Sequence, residues 1–263
     1  MSVAGFVISL ERAAARRPQV ERILQMCPIP CQRLAAVDGA ALSDAELQAV
    51  YSPQLFRPHN PFPRSIGNIG CFLSHRRAWQ RLLNDGLSAA LILEDDVELD
   101  PGFKASLDFA LKVFRPGDYV QFQVRDIGEG HPCLVSDGYH ALVSPVVAPL
   151  RTSAQLVTRE AAERLLDTSQ RIDRPVDAFL QMTWVTGVPI RIVVPSGIHE
   201  VSAAVGGSII SSEPRTIRDR FWRGILRPVY RMRIALMSRR HSMLTGVVAN
   251  GSPSNDHCSH TKS

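Results

Sequence analysis

The chain has 263 residues, of which 45% are hydrophobic and 21% charged, and its formal net charge is +5. These are ordinary values for a globular protein, so they exclude wholesale disorder, and the length allows one large domain with a sizeable core. Aromatic residues make up only 6%, which argues against a stacking surface for single-stranded nucleic acid. Five scattered cysteines favour neither a disulfide framework nor a structural zinc site, and they predict a reducing compartment.

No apolar run approaches the roughly 20 residues that a membrane-spanning helix requires. The apolar run near the N terminus, residues 4–9, has no basic residue ahead of it. Its pattern is typical of a strand and not of a signal peptide. The sequence therefore predicts a cytoplasmic location.

Strands and helices alternate along the first part of the chain. Apolar periodicity, turn residues and a capping-box spacing at Ser43 predict the following elements: a strand over 4–9, a helix over 13–26, a strand over 33–37, a helix over 44–50, a loop rich in proline and glycine over 52–70, and a helix over 69–83.

The alternation continues in the second part. The same signals predict a strand over 87–93, a helix over 100–113, strands over 118–124 and 154–157, helices over 159–166 and 175–184, and a strand over 190–194. Such a succession indicates an α/β fold, a mixed sheet with helices on both faces.

A basic segment follows. Between Arg215 and Arg240 there are nine arginines and one acid, a net charge of +8, which leaves −3 for the rest of the chain. Apolar residues, Trp222 among them, recur there at helical spacing, and Pro228 is expected to kink or divide the helix. A basic helix with such an apolar face is typical of one that lies on an anionic membrane surface. Packing against the domain and a nucleic-acid arm are the alternatives.

These patterns divide the chain into a main domain over 1–212, a basic amphipathic helical extension over 213–241 and a polar tail over 242–263 that is expected to be disordered.

Five acids fall within seven residues directly after the predicted strand over 87–93: Glu94, Asp95, Asp96, Glu98 and Asp100. Like charges this close repel unless a cation compensates them. Ligands of open α/β sheets sit at the carboxyl ends of strands, and hard oxygen ligands suit Mg²⁺ or Mn²⁺. The cluster therefore predicts a site for a metal and a diphosphate, a leaving group whose charge must be neutralised as its bond breaks. A solvated loop is the alternative.

Two motifs in this order resemble those of glycosyltransferase family 25, the lipooligosaccharide-type galactosyltransferases of bacteria and their collagen-modifying relatives. They are IGCFLSH at residues 69–75 and LILEDD at 91–96. VISLER at 7–12, AVDG at 36–39 and PVD at 175–177 are also similar to family elements. The resemblance spans roughly residues 4–200.

The resemblance implies a GT-A type fold, a nucleotide-sugar donor that is commonly UDP-galactose, Mn²⁺ or Mg²⁺, and inversion at the anomeric carbon. Glu94 and Asp96 would be the two acids of a DxD-like motif, with Asp96 in contact with the metal. The residues expected at the donor are Leu10, Arg12, Arg16, Asp38, Glu94 and Asp95.

An inverting transfer needs a base that takes a proton from the acceptor hydroxyl. Asp177, beside a helix started by proline, is the first candidate and Asp173 the second; Asp177 could instead serve only the first turn of that helix. His75 lies on the apolar face of its helix, where a hydrogen-bonded structural histidine is commoner than a catalytic one. His199 is a candidate third metal ligand.

The sequence thus predicts a bacterial hexosyltransferase of lipopolysaccharide or related glycan synthesis. Its expected partners are a UDP-hexose donor, a saccharide acceptor that could be lipid-linked, and the anionic inner membrane surface, contacted through residues 214–240; no nucleic acid is expected. Another metal-dependent nucleotide-sugar or nucleotidyl transferase, and a non-catalytic membrane-associated relative, are the alternatives.

Overall fold

An eight-stranded sheet forms the centre of the computed structural model, which describes residues 2–62, 65–203 and 217–245, with the backbone alone for 217–223 and 225. The strands are β1 Val3–Ser9, β2 Cys31–Ala35, β3 Ala89–Glu94, β4 Val97–Leu99, β5 Tyr119–Phe122, β6 Cys133–Ser136, β7 Ala141–Val143, β8 Ala154–Thr158, β9 Ile190–Val194 and β10 Ile198–Glu200. The helices are α1 Arg17–Met26, α2 Asp44–Val50, α3 Ile66–Asn84, α4 Phe103–Val113, α5 Arg159–Thr168, α6 Val176–Leu180, α7 Thr183–Thr186 and α8 Ile217–Leu244.

The strand order in the sheet is β2-β1-β3-β8-β5-β9-β7-β6, and β4 and β10 form a separate pair. β1 is parallel to β2 and β3, β8 is antiparallel to β3 and β5, and β9 is parallel to β5. The predicted α/β fold with a mixed sheet is confirmed. One edge of this sheet carries the carboxyl ends of β1, β2, β3 and β5 together with the start of β8, where ligands of α/β proteins commonly bind.

Helices cover both faces of the sheet, which explains why β3 is apolar at every position before Glu94. Its Ile92 belongs to the core cluster that contains Phe72 and Trp79 of α3. Leu93, which points to the opposite face, belongs to the cluster of α1 and α4 that contains Phe103. The end of β3 is thereby fixed from both sides.

Helix α3 approaches the loop after β2 very closely because two glycines face that contact. A Cβ on Gly70 would lie 2.7 Å from the backbone nitrogen of Gly39, and one on Gly39 would lie 2.2 Å from the carbonyl oxygen of Ile66. One turn along α3, the hydroxyl of Ser74 accepts from Val37 N (2.8 Å) and donates to Gly70 O (2.7 Å). The glycine and serine of the 69–75 motif thus hold α3 close to the loop after β2.

The predicted elements are observed with several differences in their bounds. The Ser43 capping box is present with both of its hydrogen bonds. The predicted helix over 175–184 is instead the two short helices α6 and α7. α4 begins at Phe103 because Asp100 Oδ1 accepts from Gly102 N (2.7 Å) and Phe103 N (3.1 Å), a turn that precedes the helix. The short strands β4, β6, β7 and β10 were not predicted.

From Ile217 onward the basic segment lies in one helix, α8, that continues through Pro228, so Pro228 does not divide it. One face of α8 packs on the domain through Tyr230 and Ile234, which are 9% and 2% exposed. The anchor is Arg174, whose Nη1 donates to Tyr230 Oη (2.8 Å). The expected disordered tail falls largely on residues 246–263, outside those described. Within the described part of the chain, no helix has the length and apolarity to cross a membrane.

Candidate active site

Glu94 ends β3 at the ligand-binding edge of the sheet and is held from two directions. Its Oε1 lies 3.2 Å from His75 Nε2 and accepts from Thr152 Oγ1 at 3.0 Å. The other ring nitrogen of His75 lies 3.2 Å from Gln155 Nε2. An amide nitrogen only donates, so Nδ1 of His75 accepts and Nε2 carries the proton that is donated to Glu94.

The pKa of Glu94 is lowered although its carboxyl group is partly buried. Burial acts to raise it, but the hydrogen bond from His75, the Thr152 hydroxyl and the charge of Arg16 together outweigh burial. His75 is 1% exposed. We propose that it positions Glu94, which is the kind of structural role that the sequence favours for this histidine.

The next two acids, Asp95 and Asp96, both contact the guanidinium group of Arg16. Arg16, itself 6% exposed, pairs with Asp95, and its Nη1 lies 3.4 Å from Asp96 Oδ2. Asp96 also accepts from Ser202 Oγ at 2.8 Å. Burial and then the charge of Glu94 raise the pKa of Asp96, more than Ser202 and Arg16 lower it. The site thus retains negative charge that its own cation does not fully balance.

The predicted donor loop after β1 is joined to the loop after β2. Arg12 Nε donates to Asp38 Oδ2 (2.5 Å) and Nη2 to Oδ1 (3.3 Å), and this pairing lowers the pKa of Asp38. Leu10 O accepts from Ala13 N (3.2 Å) and shapes the same turn. Arg12 is the more exposed partner, with 57% of its side chain accessible.

Asp177 lies at the start of α6. Its Oδ1 accepts from Ala178 N (2.7 Å) and its Oδ2 from Arg151 N (3.3 Å). Burial raises the pKa of Asp177; its backbone hydrogen bonds oppose this, and the charge of Glu94 adds to it. Arg151 adopts a positive φ of 86°, which a non-glycine residue seldom does and which tends to occur at functional sites.

Two predicted site residues, Asp173 and His199, are engaged with other side chains. Asp173 is 2% exposed and forms an ion pair with Arg174, at 2.6 Å from Nε to Oδ1, while its Oδ2 accepts from Phe56 N (3.0 Å). This arrangement ties the loop after α2 to the domain. His199 Nε2 contacts Asp100 Oδ2 (3.0 Å), and Ser202 of the same segment donates to the Asp96 carboxylate.

Glu94 and Asp96 fit the expected metal. Both offer hard oxygen atoms, and burial together with the charge of Glu94 raises the pKa of Asp96, a cost of ionisation that a cation would relieve. Cys71, His75 and Glu94 also have ligand atoms within 4.8 Å of one another. However, burial and the charges of Glu94, Asp177 and Asp96 raise the pKa of the Cys71 thiol well above its ordinary value, so it is protonated and does not suit Mn²⁺ or Mg²⁺.

The residues that complete the site were missed from the sequence. Thr152, Gln155 and Ser202 supply hydrogen bonds to Glu94, His75 and Asp96 respectively. The available signal was weak: Gln155 is a polar residue between the apolar Ala154 and Leu156 of β8, an exception to be explained by a buried partner.

Fold and site together define an α/β protein with a carboxylate centre at the carboxyl edge of a mixed sheet. Residues 3–126 match the family described as glycosyltransferase family 25 (LPS biosynthesis protein). This match confirms the resemblance to glycosyltransferase family 25 found in the motifs.

Three curated relatives have similar coverage. A glycosyltransferase 25 family member of Drosophila pseudoobscura pseudoobscura is 29% identical over 68% of this chain and 31% of its own. Procollagen galactosyltransferase 1 of Danio rerio is 27% identical over 68% and 31%. A probable inactive glycosyltransferase 25 family member 3 of Bos taurus is 28% identical over 66% and 30%. The chain spans about a third of the length of these relatives.

Proposed function

We propose that this protein is a metal-dependent, inverting hexosyltransferase that transfers galactose from UDP-galactose to a saccharide acceptor of lipopolysaccharide, lipooligosaccharide or a related cell-surface glycan. The match of residues 3–126 to family 25 and the similarity to a procollagen galactosyltransferase support the class of reaction. The donor, the acceptor, the metal and the stereochemistry are the proposed parts.

The assignment of roles to the two acids rests on the loop before β8. Consecutive residues connect the two acidic groups: Arg151 N donates to Asp177 Oδ2 (3.3 Å), and Thr152 Oγ1 donates to Glu94 Oε1 (3.0 Å). The loop before β8 therefore sets the spacing between an acid at the end of β3 and an acid with a raised pKa on α6. Such a pair, with different environments, suits a binding role for one acid and proton transfer for the other.

Glu94 and Asp96 are the proposed ligands of Mn²⁺ or Mg²⁺, which would neutralise the diphosphate of the leaving group. Arg16, already beside Asp95 and Asp96, adds positive charge at the same edge. Arg12 and Asp38 are placed to contact the nucleotide at the neighbouring strand ends. These residues bind and orient the donor.

Asp177 is the proposed base. It takes the proton of the acceptor hydroxyl as that oxygen forms a bond to the anomeric carbon, while the bond from that carbon to the phosphate oxygen breaks and UDP leaves with the electron pair. Its raised pKa favours proton uptake, since a base is most effective when its pKa is close to the working pH.

The decisive experiment incubates the protein with UDP-galactose, Mn²⁺ and a panel of saccharides and measures UDP release. We expect turnover that EDTA abolishes and that falls by about 10²-fold or more in Asp96→Asn. The matched control is Glu98→Gln, which should keep its activity. Glu98 belongs to the same acidic cluster but pairs in register with His199 on β10. Release of galactose 1-phosphate in place of UDP would instead identify a nucleotidyltransferase, and absence of both donor binding and turnover would identify a non-catalytic relative.

Membrane contact is proposed for the outer face of α8. Met232, Leu236 and Met243 are 56%, 58% and 74% exposed, and Arg239 and Arg240 lie exposed between them. Vesicles of phosphatidylglycerol should co-sediment the protein and those of phosphatidylcholine should not, because anionic lipid attracts the arginines. The double variant Met232→Ser, Leu236→Ser should weaken this; equal binding to both vesicles would contradict it.

A further inference from the structure

A cleft of about 530 Å³ opens beside Asp177, a size typical of small-molecule sites, which span about 300–1,000 Å³. Its walls come from the segment after β5, the loop before β8, α6 and α8. The charged residues that line it are Arg125, Asp126, Arg151, Asp177 and Arg231.

The three arginines are not equally available. Arg151 forms an ion pair with Glu200, and Arg125 Nη2 lies 3.9 Å from the same carboxylate. Arg231 is exposed and has no ion-pair partner among the described parts of the chain. It is therefore the cation of this cleft that a ligand can engage without breaking an existing pair.

Helix α8 is fixed next to this arginine. The preceding residue, Tyr230, accepts from buried Arg174, and Arg174 also donates to Phe56 O (2.9 Å) and Pro58 O (3.1 Å). Anchoring at position 230 holds the backbone of position 231 at the cleft, so that Arg231 belongs to the wall of the site although it lies far along the chain from the other lining residues.

The cleft lies on the base side of the site. Asp177 lines it, whereas Arg12 and Asp38, the proposed nucleotide contacts, belong to the loops after β1 and β2 and do not. The donor diphosphate is expected beside Glu94 and Asp96. A cation in this cleft thus faces the acceptor.

Building on the proposed function, we propose that the acceptor is an anionic saccharide, one that carries a phosphate or carboxylate group, and that Arg231 of α8 binds this group. The arginine fork pairs well with both kinds of oxyanion. α8 is then part of the acceptor site, a role additional to any contact with lipid.

The test measures binding of defined sugars to the full chain by ligand-observed NMR, so it does not depend on turnover. Glucose 6-phosphate and glucuronate should bind at least about tenfold more tightly than glucose, and added NaCl should weaken only the two anions. Arg231→Gln should cost about fivefold to tenfold in the affinity for the anions. Arg233→Gln, an exposed arginine of the same helix outside the cleft, is the matched control.

Two further measurements distinguish binding in the cleft from binding at the diphosphate position. Saturating UDP with Mn²⁺ should leave glucose 6-phosphate bound; displacement would mean that the phosphate occupies the diphosphate position, and it would overturn the proposal. Equal losses in Arg231→Gln and Arg233→Gln, or equal binding of glucose and its phosphate, would also overturn it. UDP-galactose turnover in the same preparations reports separately on the proposed function.

Discussion

His75 Nε2 lies 3.2 Å from Glu94 Oε1, and this contact joins the two central motifs of the chain. The histidine belongs to the segment over 69–75 and the glutamate to the segment over 91–96. Gly70 and Ser74 of the first motif hold α3 against the loop after β2, which sets the position from which His75 reaches β3. We therefore propose that the first motif positions the acidic centre and does not contact substrate.

The coupling of His75 and Glu94 can be measured with a double-mutant cycle on the free energy of unfolding. We expect His75→Ala, Glu94→Gln and the double variant to be non-additive by about 0.5–3 kcal/mol, since the two side chains share one hydrogen bond. Thr152→Val, which removes the other donor to Glu94, serves as the comparison and should leave that coupling in place. Additive losses would show that the contact contributes nothing.

Gly70→Ala should destabilise the fold by about 1–3 kcal/mol, because the new methyl group meets the backbone of the loop after β2 and neither element can shift freely. Urea denaturation gives the difference. Gly224→Ala on α8 is the control: no atom of the described residues lies within 4 Å of the place that its methyl group would take, so helix propensity should stabilise it by up to about 1 kcal/mol. Similar effects at both positions would refute the close approach.

The pH dependence of activity should report the raised pKa of Asp177. Protonation removes the base, so kcat/KM should fall as the pH drops through a value above the ordinary aspartate pKa of about 3.9. Asp177→Asn should abolish turnover while leaving UDP binding intact. A profile with no acid limb in that range would argue against Asp177 as the base.

Stability should depend on pH with opposite signs at two aspartates. The stability that protonated Asp177 contributes is present below its unfolded pKa and is lost as the pH rises through its higher folded pKa, so Asp177→Asn should melt at a higher temperature at neutral pH.

Asp137, whose pKa is lowered to about 2 by the amides of His140 and Tyr139, stabilises the fold above its unfolded pKa. That contribution is lost as the pH falls towards about 2. Asp137→Asn should therefore lower the melting temperature at neutral pH.

Tyr230→Phe should cost about 1.5–3 kcal/mol, because it removes the hydroxyl that Arg174 donates to and leaves a buried guanidinium with one partner fewer. Limited proteolysis should cut α8 faster in this variant. Met232→Ala, two residues away and exposed, should behave like the native chain. Unchanged proteolysis in Tyr230→Phe would mean that α8 is held by other contacts.

Local sequence signals located much of the fold. The uninterrupted apolar run before Glu94 predicted β3, and Ser43 with Glu46 predicted the start of α2. The short strands β6 and β7 escaped notice because three or four residues carry too little periodicity, and their pairing depends on partners distant in the chain. The helix over 175–184 was predicted as one element because the break between α6 and α7 has no glycine or proline to mark it.

The sequence by itself determined the α/β class, the acidic group at the end of β3 and the resemblance to family 25, because apolar periodicity and contiguous motifs are local properties. Only the tertiary structure decided which side chains meet: Arg16 with Asp95, Thr152 with Glu94, Arg151 with Asp177, and Tyr230 with Arg174. It also showed α8 packed on the domain with Arg231 at the cleft. Helical spacing gives a helix two faces, but which face is buried depends on surfaces that form only when distant segments of the chain assemble.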